Sequence, residues 1–238
     1  MKHLWSGIAI QRAATAGLAL LIALPASFAQ APPDPNSGMP DTQQAARLSP
    51  DQLDDLVAPI ALYPDPMLSQ VLVASTYPLE LLEAQQWLQH NSGLKGQALM
   101  DAARQQNWDA SIQAMVAFPD VLAKLNQDVQ WTTAVGNAFL AQQSDVMAAV
   151  QRMRARAQAN GRLSSTPQET VTTETQGGQT AITIAPADPQ VIYVPTYDPM
   201  YIWGPPVWGY YPPLAYSGFG FGFYPGINIG FLFGGWGG

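Results

Sequence analysis

The apolar positions of this chain change their spacing along its length, and each change marks a boundary. Between Leu53 and Met153 they recur every three or four residues, as one face of an α-helix requires. Ser49-Pro50-Asp51-Gln52 opens the first helix, with Ser49 as cap, Pro50 at the first helical position and Gln52 closing a capping box. Leu53, Leu56, Val57 and Ile60 share its face, and Pro59 kinks or ends it. Tyr63-Pro64-Asp65-Pro66 repeats the start signal, with Asp65 as cap and Leu68, Val71 and Leu72 behind it. Thr76-Tyr77-Pro78 starts a third helix through Leu81, Ala84 and Leu88 to about His90, where Asn91-Ser92-Gly93 breaks it. Leu99, Ala102 and Ala103 mark another. Residues 109–117 and 120–127 form two short helices separated by Phe118-Pro119. The longest predicted helix covers 129–160, with Val135, Phe139, Gln142, Val146, Val150 and Met153 as its stripe and Gly161 as its stop.

After Arg162 the rhythm shortens. Residues 169–175 alternate with β-branched threonines, and Gln176-Gly177-Gly178-Gln179 reads as a hairpin turn. Residues 181–185 and 191–194 follow as strands. The pattern therefore predicts a mainly α fold: a compact multi-helix domain over 48–162, a small antiparallel β appendage over 163–202 packed on the helices, and a low-complexity tail over 203–238. A sheet this small is not stable alone.

The tail has a period of its own. From Pro199 to Gly238 there is no Asp, Glu, Lys, Arg or His, and from Gly218 onward aromatic or aliphatic residues alternate with glycine. Three readings compete: a lipid-spanning helix, which Pro225 and the glycines oppose; a strand pair with Phe and Ile on one face; and a disordered tail, which the composition favours. The residues available for association are Trp203, Trp208, Tyr210, Tyr211, Phe219, Phe221, Phe223, Phe231, Phe233 and Trp236.

Composition sets the N-terminal end apart. Lys2, His3 and Arg12 followed by an apolar run over 13–24 read as a secretory signal peptide, 1–29, cut between Ala29 and Gln30. The run is too short to span a bilayer. Residues 30–47, rich in Pro, Gln and Asp, read as a disordered linker. Loss of Lys2 and Arg12 takes 10 basic residues to 8 against 17 acidic, a balance of −9. That charge argues against nucleic acid and anionic lipid as partners. No transmembrane span is expected in the mature chain.

Leu62-Tyr63-Pro64-Asp65-Pro66-Met67-Leu68 and Val73-Ala74-Ser75-Thr76-Tyr77-Pro78-Leu79-Glu80 resemble the hallmark of a bacterial family, domain of unknown function 3300. Trp108-Asp109-Ala110-Ser111, Phe118-Pro119, Gly161-Arg162-Leu163 and Val191-Ile192-Tyr193-Val194-Pro195 resemble its later segments. The likeness covers about 48–202. It implies an exported protein of a Gram-negative bacterium, in the periplasm or outer envelope, and no established site residues.

Candidate chemistry is sparse. Cysteine is absent, and His90 is the one histidine beyond the leader, so zinc by its usual ligands is not expected. No cofactor is implied. Asp51, Asp54 and Asp55 lack the spacing of a calcium loop and read as a solvated first helical turn. Arg152, Arg154 and Arg156 read as scattered cations that complement the end of the long helix. Trp87, Trp108 and Trp131 read as core. Asp65, Glu80 and Glu83 are the weak catalytic candidates, as a carboxylate pair for glycoside hydrolysis. The preferred reading is a non-enzymatic envelope scaffold whose tail binds an envelope component or itself. A periplasmic carbohydrate-acting enzyme and a glycan- or peptide-binding module are the alternatives.

Overall fold

Helices begin where the sequence places proline and a cap. The computed structural model describes residues 47–176, 178–216, 218 and 220–229. The leader, most of the linker, the cleavage site Ala29/Gln30, and Phe219, Phe231, Phe233 and Trp236 lie outside the described residues. Helix α1 (Pro50–Val57) carries the expected box: the Gln52 amide donates to Ser49 Oγ at 3.3 Å and the Ser49 amide to Gln52 Oε1 at 2.8 Å. Then follow α2 (Asp65–Ala74), α3 (Pro78–His90), α4 (Gly96–Ala103), α5 (Ala110–Met115), α6 (Pro119–Gln127) and α7 (Val129–Ala159). The last residue before the expected stop, Asn160, caps α7, and Gly161 follows at φ +66°.

The spine of the domain is α7, which packs against α1, α2, α3 and α6. It is not one straight rod. Gln142 leaves helical dihedrals (φ −151°, ψ 52°), and its side chain clasps the Leu48 backbone, accepting from N–H at 3.1 Å and donating to C=O at 3.3 Å. Helix breaks of this kind arise where a competing hydrogen bond enters the ladder. Nearer its N-terminus, Gly136 lets α7 meet the C-terminus of α2, because a Cβ there would overlap the Ser75 carbonyl. The core, including Val57, Leu62, Val71, Leu72, Ile112, Met115, Leu122, Val150 and Met153, fills the space between.

The β appendage is three ladders rather than one sheet. Strands β1 (Glu169–Gln176) and β2 (Gln179–Pro186) form the expected hairpin, with Gly178 at φ +81° in its turn. Ile182 and Ile184 bury against the helices, and Gln151 of α7 brackets Ile182, accepting its N–H at 2.7 Å. Strands β3 (Val191–Ile192) and β4 (Pro195–Tyr197) do not join that hairpin. They pair with tail strands β6 (Ile227–Asn228) and β5 (Phe221–Phe223) respectively. Between them lies a short helix, α8 (Pro199–Trp203).

The described part of the tail thus departs from the expectation of disorder. Leu214 and Ile229 are buried, the Tyr224 amide donates to Val194 C=O at 2.9 Å, and Ile229 N–H to Gln190 C=O at 2.7 Å. Strands do form at β5 and β6, but each finds its partner upstream instead of pairing with the other. Among the described residues no helix is long and apolar enough to cross a membrane.

Candidate functional site

The aromatic residues of the tail divide into two groups. Trp203 is buried, donating from Nε1 to Met153 C=O at 2.8 Å. Phe221 stacks on buried Tyr197 with ring centres 6.1 Å apart, and Phe223 meets Phe221 edge-on at 5.3 Å. Tyr211 is half-buried and donates to Gly204 C=O. These are structural. Trp208 and Tyr210 are not: they are 57% and 76% exposed, and Met200, Tyr201 and Val207 beside them in the chain are exposed as well. Large apolar side chains grouped in this way mark interaction surfaces more often than isolated ones do.

What holds Trp208 out is Asp55 of α1. Its two carboxylate oxygens accept the backbone N–H groups of Val207 (3.2 Å) and Trp208 (2.7 Å). Burial raises the Asp55 pKa, and the two amide bonds work against that rise. The tail segment so fixed forms one wall of a groove of about 400 Å³, opposite Leu56 of α1 and Asp128, Trp131 and Ala134 at the start of α7. Pro212 and Pro213 close one side. Most polar groups on the rim already have partners. Asp128 caps α7 by accepting Trp131 N–H at 3.0 Å, and Trp131 Nε1 donates to Leu56 C=O at 2.9 Å. The surface left for a ligand is therefore aromatic and proline carbon beside a carboxylate. It can hold a chain.

Of the three acidic residues of α1, Asp51 is exposed in the first turn as expected, and the other two are not. Asp54 and Asp55 are each 5% exposed, so they are not a solvated turn. Asp54 accepts from Arg152 at 2.6 Å and lies 4.0 Å from Arg156. The arginines of α7 are corrected with them. They do not scatter; two clamp α1, and Arg154 runs inward.

Arg154 is 1% exposed and donates to Ala61, Tyr63 and Ile182 carbonyls at 2.9 Å each, and to Asp65 at 2.6 Å. One guanidinium joins the loop after α1, the start of α2 and the hairpin, a use of its five-donor fork that lysine could not match. Asp65 is consequently not the cap of α2, which has no side-chain cap. Its second oxygen accepts Ile184 N–H at 3.3 Å. Near this hub lies Glu169, 1% exposed, with neither carboxylate oxygen hydrogen-bonded. Burial pushes its pKa up to about 7 despite the attraction of Arg154. No periodicity in the sequence singles it out.

The two other catalytic candidates sit together at one loop. Glu80 accepts Asp109 N–H at 2.7 Å and Glu83 accepts Trp108 Nε1–H at 3.2 Å, docking the start of α5 on α3. Trp108 packs edge-on to Trp87 at 5.7 Å. Asp65 shares none of those partners, so the structure pairs the glutamates and leaves Asp65 with Arg154. His90 lies at the end of α3, its Nδ1 2.7 Å from Gln86 C=O. Lys124, 4% exposed, lies under the Tyr216 ring of the tail at 5.2 Å, and burial pushes its pKa down to about 8. Among the described residues no three His, Asp or Glu converge as a metal site requires.

Comparison with known proteins adds a family and no activity. The chain is 40% identical over 217 residues to the Uncharacterized protein YacH of Escherichia coli (strain K12), across 74% of its own length and 35% of the relative's. It thus spans about a third of that relative. No solved structure matches. The family model described as "Protein of unknown function (DUF3300)" matches residues 49–237, so the likeness does not stop near residue 202 and takes in the tail. With nearly the whole chain from the first helix onward under that match, the protein belongs to the DUF3300 family.

Proposed function

We propose that this chain is an exported, non-enzymatic protein of the Gram-negative cell envelope in which the helical domain is the scaffold and residues 204–213 are the working surface. The observation that carries the proposal is the exposure of Trp208 and Tyr210 on a backbone that Asp55 fixes beside a groove. Exposed aromatics on an ordered backbone bind without a large ordering cost. A groove of aromatic and proline carbon with an acidic edge suits an extended ligand that offers flat apolar faces and N–H or O–H donors, such as a peptide or glycan strand. A carbohydrate-acting role would require Glu80 and Glu83 to release Asp109 and Trp108, which dock α5.

Fractionation of cells expressing the full chain and Trp208→Ala/Tyr210→Ala tests this, with native mass measured for both. The variant should keep its thermal midpoint and leave the envelope fraction, or lose a self-associated mass. Identical fractionation and mass for the two forms would remove the proposal. Deleting 199–238 is not an equivalent test, because it also strips Ile202, Trp203 and Leu214 from the core.

A further inference from the structure

A second cavity, sharing no lining residue with the groove, lies between α3, α4, α5 and tail strand β6. Its volume is about 380 Å³. Leu88, Leu99, Met100, Val116 and Ile227 supply aliphatic and thioether walls, and Ala117 leaves room at the base of α6. Lys95 lines the same cavity and is exposed.

Lys95 stands out by what the other cations do. Among the described residues, the arginines pair with a carboxylate or with Tyr201, and Lys124 lies over Tyr216. Lys95 has neither kind of partner among the described residues. It therefore presents an unspent positive charge at the lip of an apolar chamber in a protein of net charge −7. Charge at one end and aliphatic walls behind it match a molecule built the same way: a hydrocarbon chain that ends in an anion. An acyl chain gains from leaving water in proportion to the area buried, and a carboxylate beside an ammonium keeps its charge compensated. A ligand wholly apolar would leave Lys95 unused, and a wholly polar one would not fill the chamber.

We infer that this cavity binds one free fatty acid, its chain between Leu99, Met100, Val116 and Ile227 and its carboxylate at Lys95. The cavity uses a wall from β6, so occupancy also fastens the tail strand to the helical domain.

The test is calorimetric titration of the intact protein with dodecanoate below its micelle concentration, beside Lys95→Glu, Lys95→Arg and Ala117→Phe. Circular dichroism confirms that each variant folds. The inference predicts saturable one-to-one binding, weakened tenfold or more in Lys95→Glu, retained within about threefold in Lys95→Arg, and abolished by Ala117→Phe, which fills the chamber. Dodecanol, with the same chain and no charge, should bind at least tenfold more weakly than dodecanoate. Absence of saturable binding overturns the inference, as does binding that ignores both Lys95→Glu and Ala117→Phe.

Discussion

The two ends of the described chain solve the same problem in opposite ways. In the helical domain, each helix announces itself locally, and α7 gathers the others around buried aliphatic side chains and one buried guanidinium. In the tail, nothing local is strong: strands of two or three residues pair with distant β3 and β4, and two bonds to Asp55 with one each to Gln127 and Val194 hold the path between them. The first region is rigid because many contacts agree. The second is ordered because the first supplies partners for it. An uncharged aromatic tail is thereby turned into a surface on which some rings are core and others are presented.

The largest expected effect lies in the first region. Arg154→Ala would leave the Ala61 and Tyr63 carbonyls without this donor, and Asp65 and the Ile182 carbonyl with only Ile184 N–H and Gln151 respectively, costing about 3 kcal/mol. Urea midpoints should show it, with Arg154→Lys recovering only part. A loss below about 1 kcal/mol would mean that the hub is not what joins the hairpin to the helices. Gly136→Ala follows closely. Its Cβ would strike backbone of the α2 terminus rather than a flexible side chain, so a loss of about 3 kcal/mol is expected. An unchanged melting temperature would rule out the close approach of α7.

Next comes Glu169, whose effect depends on pH. Its folded pKa of about 7 lies above the usual 4.5, so folding favours the protonated form. The domain should therefore lose stability as pH rises from about 4.5 to about 7 and remain level above that, by about 3 kcal/mol in all. Glu169→Gln should flatten that slope and stabilise the protein at pH 8, measured as denaturation midpoints across the range. A variant with the slope of the parent would place the titration elsewhere.

The smallest effect belongs to the tail. Asp55→Asn removes one acceptor from the Val207 and Trp208 amides, worth about 1 kcal/mol, and should act locally. Hydrogen exchange ought to quicken over 207–213 while α7 keeps its protection. Uniform quickening throughout would show that the tail and the helices open as one unit.

These contrasts also explain what could be read from the sequence. Proline at the first helical position, and Ser49 as cap, act within a few residues, so the starts of α1 and α3 were legible; α5 and α6 were placed with their starts one residue off. Asp65 looked the same and was not a cap, because Arg154, distant in sequence, claims its carboxylate. The spacing of Arg152, Arg154 and Arg156 could not reveal that one turns inward, since that depends on where the α2 start and the hairpin converge. Asp54 and Asp55 were misread for the same reason: their partners come from α7 and the tail. The tail itself offered a period but no partner, so the alternation of β5 and β6 was visible and their pairing with β4 and β3 was not. Of the groove, only the aromatic residue types were legible; which of them are presented is settled by Asp55.

The central claim is that Trp203 and Trp208, five residues apart in one uncharged tail, do different jobs. Trp203→Ala and Trp208→Ala, each measured for thermal midpoint, retention in the envelope fraction and native mass, test it most directly. A midpoint lowered by several degrees is expected for Trp203→Ala, and for Trp208→Ala an unchanged midpoint with retention or a self-associated native mass lost. Full retention of Trp208→Ala with an unchanged native mass, or a midpoint that falls as far as that of Trp203→Ala, would contradict it.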